Sequence, residues 1–178
     1  MFLLVSLSVM LFSCCYSGIV SEYGLPRREI PKFKNESNVI YDIDTMAVYK
    51  LDAIFIYNSS LKKYSRYDKE DQSTYTYFSY SKYYSNGKLG LFIIEKNKTL
   101  KREDFNPQKA KMGYFSEYEK GKIKQKISTI GDCTLYISEK NGTVEKDSIV
   151  LYDKNSFGYV YKKIKVPQEY LQNWKPDW

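Results

Sequence analysis

The feature that most constrains the fold is the stretch 74–95, TYTYFSYSKYYSNGKLGLFIIE, in which two aromatic and aliphatic runs flank Asn86-Gly87. Asn-Gly supplies the two positive-φ positions of a two-residue type I′ turn, so this stretch predicts a β-hairpin. An isolated hairpin is marginally stable in water, and further strands are therefore expected to cover it. The turn predicts a register that places the following residues on one core face: Phe78, Tyr80, Tyr84, Leu89, Leu91 and Ile93.

The rest of the chain repeats this pattern at spacings of about ten residues. Alternating apolar and polar residues predict strands at 45–57, 113–119, 122–129, 133–138, 148–152 and 158–166. Lys120-Gly121 is expected to join two of them in a second hairpin, and short helical turns are expected around 100–105 and after Pro167. About seven to eight strands predict an all-β domain, either an antiparallel up-and-down barrel or a sandwich.

The composition excludes several kinds of chemistry. The 178 residues include no His, which excludes Ser-His-Asp, Cys-His and His-based zinc sites. No Gly-rich phosphate loop or metal-spaced Cys pair occurs. Carboxylates cluster at 68–71 and at Glu103-Asp104, but in Lys-rich segments, so solvated surface is favoured over a carboxylate-based hydrolase. We therefore expect a protein that is not an enzyme, with no catalytic residues, cofactor or metal.

The N-terminal residues 2–12, FLLVSLSVMLF, form an uncharged apolar run, and the first charged side chain is Glu22. This run has the length of a signal-peptide core and is shorter than the roughly 20 residues of a transmembrane helix. The sequence Leu11-Phe12-Ser13-Cys14 resembles the lipobox of bacterial lipoproteins, with Leu three residues before Cys and a small residue directly before it. An ordinary secretory signal cut near Ser17 or Gly18 is the alternative.

The lipobox resemblance implies a lipid anchor. In bacterial lipoproteins the peptidase cuts before the Cys, here Cys14, whose thiol and new amino group then carry acyl chains such as palmitate. The implied location is the bacterial cell envelope, at the outer membrane facing the periplasm. Residues 1–13 are then the signal peptide, 14–37 a lipidated tether, 38–166 the β-domain and 167–178 a C-terminal tail. A disulfide between Cys15 and Cys133 is permitted there, but a free Cys133 that fills the core is expected instead.

A second resemblance covers most of 45–166. The segments VYKL, YYSNGKLGLF and EKDSIVLY, in this order, are similar to lipocalin-like domains of small bacterial lipoproteins, and the ending WKPDW is similar to the tail of an uncharacterised lipoprotein group. This implies binding of an apolar ligand inside a barrel, or of an envelope component at its surface. The candidate ligand-binding residues are then Phe78, Tyr80 and Tyr84. A structural or protein-interaction module with a filled core is the alternative.

The charge pattern indicates an anionic partner. The net charge of +7 favours anionic lipid or acidic glycan, and no nucleic acid is expected. Lys122, Lys124 and Lys126 alternate with less polar residues and therefore project from one face of a predicted strand. This face is expected either to contact an anionic surface or to protect an edge strand against aggregation. Protein partners are left open by the sequence.

Overall fold

The computed structural model describes residues 16–27, 30–33, 42–58, 63–66, 76–154 and 156–178, and for 57, 58, 63 and 64 the backbone only. The predicted signal peptide and its Cys14 lie outside these residues. Within them the helical segments are three short 3-10 helices, Arg102–Phe105, Pro107–Lys109 and Gln168–Tyr170, and none is long and apolar enough to cross a membrane. The strands are β1 (Val48–Asn58), β2 (Lys63–Arg66), β3 (Tyr77–Tyr83), β4 (Lys88–Glu95), β5 (Lys111–Glu119), β6 (Lys122–Gly131), β7 (Thr134–Glu145), β8 (Ser148–Tyr152) and β9 (Phe157–Ile164).

Eight of these strands form a closed antiparallel barrel. The strands from β3 to β9 each pair with the next one along the chain, and β1 pairs with both β3 and β9. β2 lies outside this cycle and extends the sheet along the C-terminal part of β1. The prediction of an all-β up-and-down barrel is confirmed, and it is the barrel rather than the sandwich that forms.

The β3–β4 hairpin forms where it was predicted, but with a different turn. The backbone N–H of Tyr84 donates to Lys88 (2.9 Å), the N–H of Gly87 donates to Tyr84 (3.0 Å), and Gly87 has the positive φ of +77°. This is a three-residue loop with Gly in the left-handed position, rather than a type I′ turn. Tyr83 therefore faces Leu89. A two-residue turn at Asn86-Gly87, as predicted, would place Tyr84 opposite Leu89, so the predicted register is wrong by one residue.

Because side chains alternate along a strand, the one-residue shift changes which side chains of β4 share a face with a given set of side chains of β3. Tyr83 and Leu89 are fully buried in the barrel interior, whereas Tyr80 and Phe92 are buried on the outer surface. Both faces of this hairpin are thus covered, one by the opposite wall of the barrel and the other by the segments that follow β4 and β9.

Large side chains fill the barrel interior. Tyr83 is central: its ring meets Tyr49 (5.6 Å) and Phe115 (4.9 Å) edge to face, and its hydroxyl hydrogen-bonds with Gln125 (3.1 Å). Burial of apolar surface is the dominant favourable term in folding, and large rings contribute much of the buried area. The buried interior cluster consists of Ile43, Ala47, Tyr49, Tyr83, Leu89, Phe115, Ile123, Ile127, Val144, Ile149, Leu151 and Tyr161.

The segment before β1 closes one end of the barrel. Glu117 of β5 is buried there, and its carboxylate accepts hydrogen bonds from the backbone N–H groups of Asp42 (3.1 Å) and Ile43 (3.4 Å). Because the strands are antiparallel, the β3–β4, β5–β6 and β7–β8 turns lie at this same end. We call it the closed end.

A second cluster covers the outside of β3 and β4. Tyr80 and Phe92 pack edge to face against Phe105 of the first 3-10 helix, with ring centroids 6.3 and 5.7 Å apart. Leu171, which follows β9, completes the same cluster. The outer face of β3–β4 therefore anchors both the connection to β5 and the C-terminal segment.

The N-terminal segment is also part of the domain. Ile30 is buried against Met112 and Tyr114, and the hydroxyl of Ser21 donates to the carbonyl of Gln108 (2.8 Å). The expectation of a tether over 14–37 therefore does not hold for the described residues 16–27 and 30–33. The sequence shows no periodicity here because the segment is held by individual buried residues rather than by a repeated pattern.

Arg27 makes the strongest of these contacts. Its Nε donates to both carboxylate oxygens of Asp177 (3.0 Å each), and its guanidinium lies over the ring of Trp178 (5.1 Å). The remaining four N–H groups donate to the backbone carbonyls of Pro26, Pro107, Gln108 and Ala110. All five guanidinium donors are used, and we call Arg27, Asp177 and Trp178 the Arg27 clasp.

The turn between β6 and β7 is formed by Asp132 and Cys133, the second of which was predicted to begin a strand. Asp132 (φ 47°) and Cys133 (φ 61°) are both left-handed, as a type I′ turn requires, and Gly131 pairs with Thr134 across it. Cys133 therefore lies at the tip of the hairpin rather than in a strand. It is disulfide-bonded, so the prediction of a free Cys133 in the core is wrong.

Replacing Arg27 by Lys should destabilise the fold strongly, because Lys keeps the charge but cannot satisfy four carbonyls and a carboxylate from one planar group. We expect the free energy of unfolding in urea to fall by about 3–5 kcal/mol, the usual cost of breaking a buried charged pair. The matched control is Lys162→Gln, which removes the exposed ion pair with Asp52 (2.9 Å) and should cost less than about 1 kcal/mol. Equal effects of the two variants would contradict this account of the clasp.

Candidate functional site

A groove of about 600 Å³ lies at the closed end of the barrel. One wall is the β3–β4 turn, from Lys82 to Lys88, and the other is the C-terminal segment 171–176. Thr45 and Met46, which precede β1, complete the lining. This volume is within the range of sites for small molecules or short oligomers.

The C-terminal wall is held from both of its ends. Leu171 is buried in the outer cluster, and beyond the wall Trp178 donates its indole N–H to the carbonyl of Gly113 (3.2 Å). Between them the indole N–H of Trp174 donates to the carbonyl of Tyr170 (3.0 Å), and Arg102 lies over the Trp174 ring (4.4 Å). The wall is therefore formed before any ligand arrives.

Asn173 in the same wall has a left-handed backbone, with φ of 64°. A non-glycine residue in this region is uncommon, although Asn tolerates it better than most residues. The conformation turns the chain between Leu171 and Trp174, and the Asn173 side chain is exposed along the groove.

Lys82 forms the buried floor of the groove. Its side chain projects from the outer face of β3, and its ammonium group donates to the backbone carbonyl of Thr45. Burial lowers the pKa of Lys82 to about 8, and attraction to Asp44 opposes this shift. An ammonium group that is poorly hydrated in this way gains more than an exposed one from a bound anion.

Tyr84 lies beside Lys82 at the start of the turn. Its ring contacts Trp178 edge to face (6.4 Å), and the Lys82 nitrogen lies 5.6 Å from the ring centroid. Burial raises the pKa of the Tyr84 hydroxyl, and Asp177 adds to this, so the phenol stays neutral and can donate a hydrogen bond. Tyr84 thus connects the groove to the Arg27 clasp.

The lining is cationic and rich in polar groups. It includes three Lys side chains, Lys82, Lys88 and Lys175, and none of the lining residues is an Asp or Glu. Asp177, the nearest acid in sequence to this wall, is bound by Arg27. Hydroxyl and amide groups that can hydrogen-bond a polyhydroxylated ligand come from Thr45, Tyr84, Ser85, Asn86, Gln172 and Asn173.

The three predicted ligand-binding residues lie in different places. Tyr84 lines the groove, whereas Phe78 and Tyr80 belong to the outer cluster, with Tyr80 buried under Phe105. None of the three faces the barrel interior, since the register differs by one residue from the predicted one. The role in binding stays a prediction for Tyr84, and the packing of Phe78 and Tyr80 accounts for their apolar character.

The predicted lysine face is formed as expected from the alternation along β6. Lys124 lies over the ring of Tyr118 (4.3 Å), and Lys126 lies over Phe33 (4.6 Å) and pairs with Glu139 (3.3 Å). Lys122 is exposed. Protection of an edge strand cannot explain these residues, because β6 pairs with strands on both sides. Contact with an anionic surface stays a prediction for this face.

The acidic pair singled out in the sequence has a structural role. Asp104 is buried, and its carboxylate accepts hydrogen bonds from Lys98 (2.5 Å) and from the backbone N–H of Lys101 (2.9 Å). It fixes the start of the 3-10 helix, and Glu103 is exposed beside it. In the described part of the chain, no group of three or more His, Cys, Asp or Glu side chains is arranged to hold a metal ion.

Sequence reasoning missed most of the groove. Lys88 and Gln172 carry no pattern that separates them from other surface residues, and the WKPDW ending, which includes Trp174 and Lys175, was noted only for its resemblance to other tails. A comparison with protein-family models, with curated proteins and with solved structures finds no match to the chain. The class that the fold itself defines is an eight-stranded antiparallel β-barrel protein.

Lys82 predicts a specific pH dependence of stability. Its folded pKa of about 8 lies below the unfolded value of 10.5, so between these values the unfolded chain binds more protons and stability rises with pH. A Lys82→Met variant should have a higher free energy of unfolding than the natural protein at pH 7. This difference should shrink by roughly 2–3 kcal/mol from pH 7 to pH 10.5. Urea unfolding of both proteins across this range measures the difference, and a constant difference would contradict the proposed burial of a charged Lys82.

Proposed function

We propose that this protein is a lipid-anchored, non-catalytic protein of the bacterial cell envelope that binds an anionic glycan in the groove at the closed end. The observation that carries the proposal is the preformed lining, which includes three Lys side chains and the rings of Tyr84 and Trp174, and no Asp or Glu. Carboxylate or phosphate groups on a sugar chain would be attracted by Lys82, Lys88 and Lys175. The sugar hydroxyls would bond with the amide and hydroxyl groups of both walls.

A glycan fits this groove better than an apolar ligand. Nine of the thirteen lining residues carry a polar or charged group, and the apolar ones, Met46, Leu171, Trp174 and Pro176, are divided between the two sides. The barrel interior is a poorer candidate for an apolar ligand, because rings such as Tyr49, Tyr83 and Phe115 occupy its centre.

The filled interior also supports a second candidate function, that of a structural or protein-interaction module. The two functions differ in what purifies with the protein. A native mass spectrum that shows a glycan or another small anion bound would favour the groove, whereas a clean mass together with a stable protein complex would favour the module.

The groove proposal predicts that Lys88 and Lys175 contribute to binding of acidic oligosaccharides. A Lys88→Gln/Lys175→Gln variant of residues 16–178 should bind about 5- to 30-fold more weakly, since each ammonium group contributes roughly 1 kcal/mol. The matched control is Lys122→Gln/Lys124→Gln, which removes the same charge from the lysine face. Isothermal titration with acidic oligosaccharides and their neutral counterparts, over a salt series, measures the effect.

The two variants separate the two basic surfaces. Weaker binding by the groove variant alone supports the groove. Weaker binding by the control variant alone, or an equal loss in both, assigns binding to the lysine face or to net charge and contradicts the proposal.

The anchor proposal rests on the lipobox-like Leu11-Phe12-Ser13-Cys14. Cells grown with a fatty-acid probe should yield labelled protein, and a Cys14→Ala variant should yield none because it lacks the acylated thiol. Label that persists in the variant would contradict acylation at Cys14.

A further inference from the structure

Two stretches of the chain carry the same acceptor sequence for an N-linked glycan. Asn97 and Asn141 both lie in the pattern Glu-Lys-Asn-x-Thr. Asn-x-Ser/Thr also begins at Asn35, which lies outside the described residues, and at Asn58, for which only the backbone is described. Such a sequence marks a glycan acceptor where it lies in a surface loop of an exported protein. The fold therefore decides between Asn97 and Asn141, whose flanking sequences are alike.

Asn97 lies in an exposed turn directly after β4. The backbone N–H of Lys98 donates to the carbonyl of Glu95 across this turn (3.3 Å), and Asn97 and Thr99 are both exposed. The two residues that define the acceptor sequence, the Asn and the Thr, are thus both on the surface. This is the structural context that the acceptor sequence requires.

Asn141 lies instead in the barrel wall. It pairs with Lys124 of β6 on one side and with Tyr152 of β8 on the other, so its backbone is part of the sheet. A transferase has to bind the backbone around the acceptor Asn, and a strand paired on both sides is released only by local or global unfolding. The folded protein therefore withholds Asn141 and offers Asn97.

Exposed apolar side chains lie next to the Asn97 turn. Tyr77 (51% exposed) pairs with Glu95, and Ile93 (48% exposed) precedes Glu95 by two residues. A bulky, hydrophilic oligosaccharide on the turn would shield these side chains from other proteins. β4 begins at the closed end and runs away from it, so a glycan on Asn97 would leave the groove open.

We propose that Asn97 is the acceptor for an N-linked oligosaccharide supplied as a lipid diphosphate. The side-chain amide nitrogen of Asn97 forms a bond to the anomeric carbon of the first sugar. The bond from that carbon to the diphosphate oxygen breaks, the lipid diphosphate leaves, and the amide loses one proton to solvent. The inference rests on the proposed export of the chain and is independent of what the groove binds.

A purified reaction tests whether the fold selects Asn97. The folded protein is incubated with a lipid-diphosphate oligosaccharide and an oligosaccharyltransferase that accepts Glu-x-Asn-x-Thr, and peptide mass spectrometry locates the glycan. Peptides of residues 93–101 and 137–145 are the unfolded references, and both should be glycosylated. In the protein we expect Asn97 to react within about tenfold of the rate of its peptide and Asn141 at least about 100-fold more slowly than its peptide, because β7 must first open.

The natural protein and two matched variants complete the test. Protein purified from the cells that produce it should carry one glycan on Asn97, which Asn97→Gln removes and Asn141→Gln leaves in place. Equal reaction of Asn97 and Asn141 in the folded protein, or reaction of neither, overturns the inference. A processed chain without a glycan on Asn97 overturns the inference alone, whereas a chain whose mass still includes residues 1–13 contradicts the proposed export and the inference with it.

Discussion

The architecture outside the barrel wall depends on the satisfied guanidinium of Arg27. A buried arginine is costly unless every donor finds an acceptor, and here the acceptors come from three separate parts of the chain. The contact brings the N-terminal segment, the 3-10 helix Pro107–Lys109 and Asp177 together across 150 residues of sequence. Because Trp178 packs beneath the guanidinium and against Tyr84, the same contact fixes the C-terminal wall of the groove.

The β3–β4 hairpin connects this clasp to the barrel. Its inner face supplies Tyr83 to the interior cluster, and its outer face supplies Tyr80 and Phe92 to the cluster that carries the C-terminal segment. Lys82 projects from the outer face at the end of β3, where it bonds with the carbonyl of Thr45 and lines the groove although it is buried. A cationic floor of this kind costs stability without a ligand, and an anion bound there would recover part of that cost.

Features that depend on local alternation could be predicted from the sequence. The strand count, the barrel and the alternation of Ile123, Gln125 and Ile127 with lysines all follow from a period of two. The register of β3–β4 could not be predicted, because Asn-Gly suits a two-residue and a three-residue loop alike, and both faces of the hairpin are apolar. With no polar face to mark the outside, a shift of one residue leaves the pattern equally hydrophobic.

The groove and the clasp belong to a different class of feature. Arg27 and Asp177 each resemble ordinary surface charges in sequence, and the position of Arg27 is decided by the backbone carbonyls that the fold brings together at residues 107–110. Tyr84 was predicted to lie on a core face of the hairpin, and that face does not form. It lines the groove instead, because the three-residue loop turns it outward beside Trp178. Long-range polar complementarity of this kind has no periodic signature.

The central claim is that the clasp holds a preformed site for an anionic glycan at the closed end. The most direct measurement is the indole N–H resonance of Trp174, followed by NMR while an acidic oligosaccharide is added to residues 16–178 labelled with ¹⁵N. The account predicts a saturable shift of Trp174 together with the backbone of Lys88 and Lys175, and no shift with the neutral oligosaccharide. Saturable shifts confined to β6, with Trp174 unchanged, would contradict it.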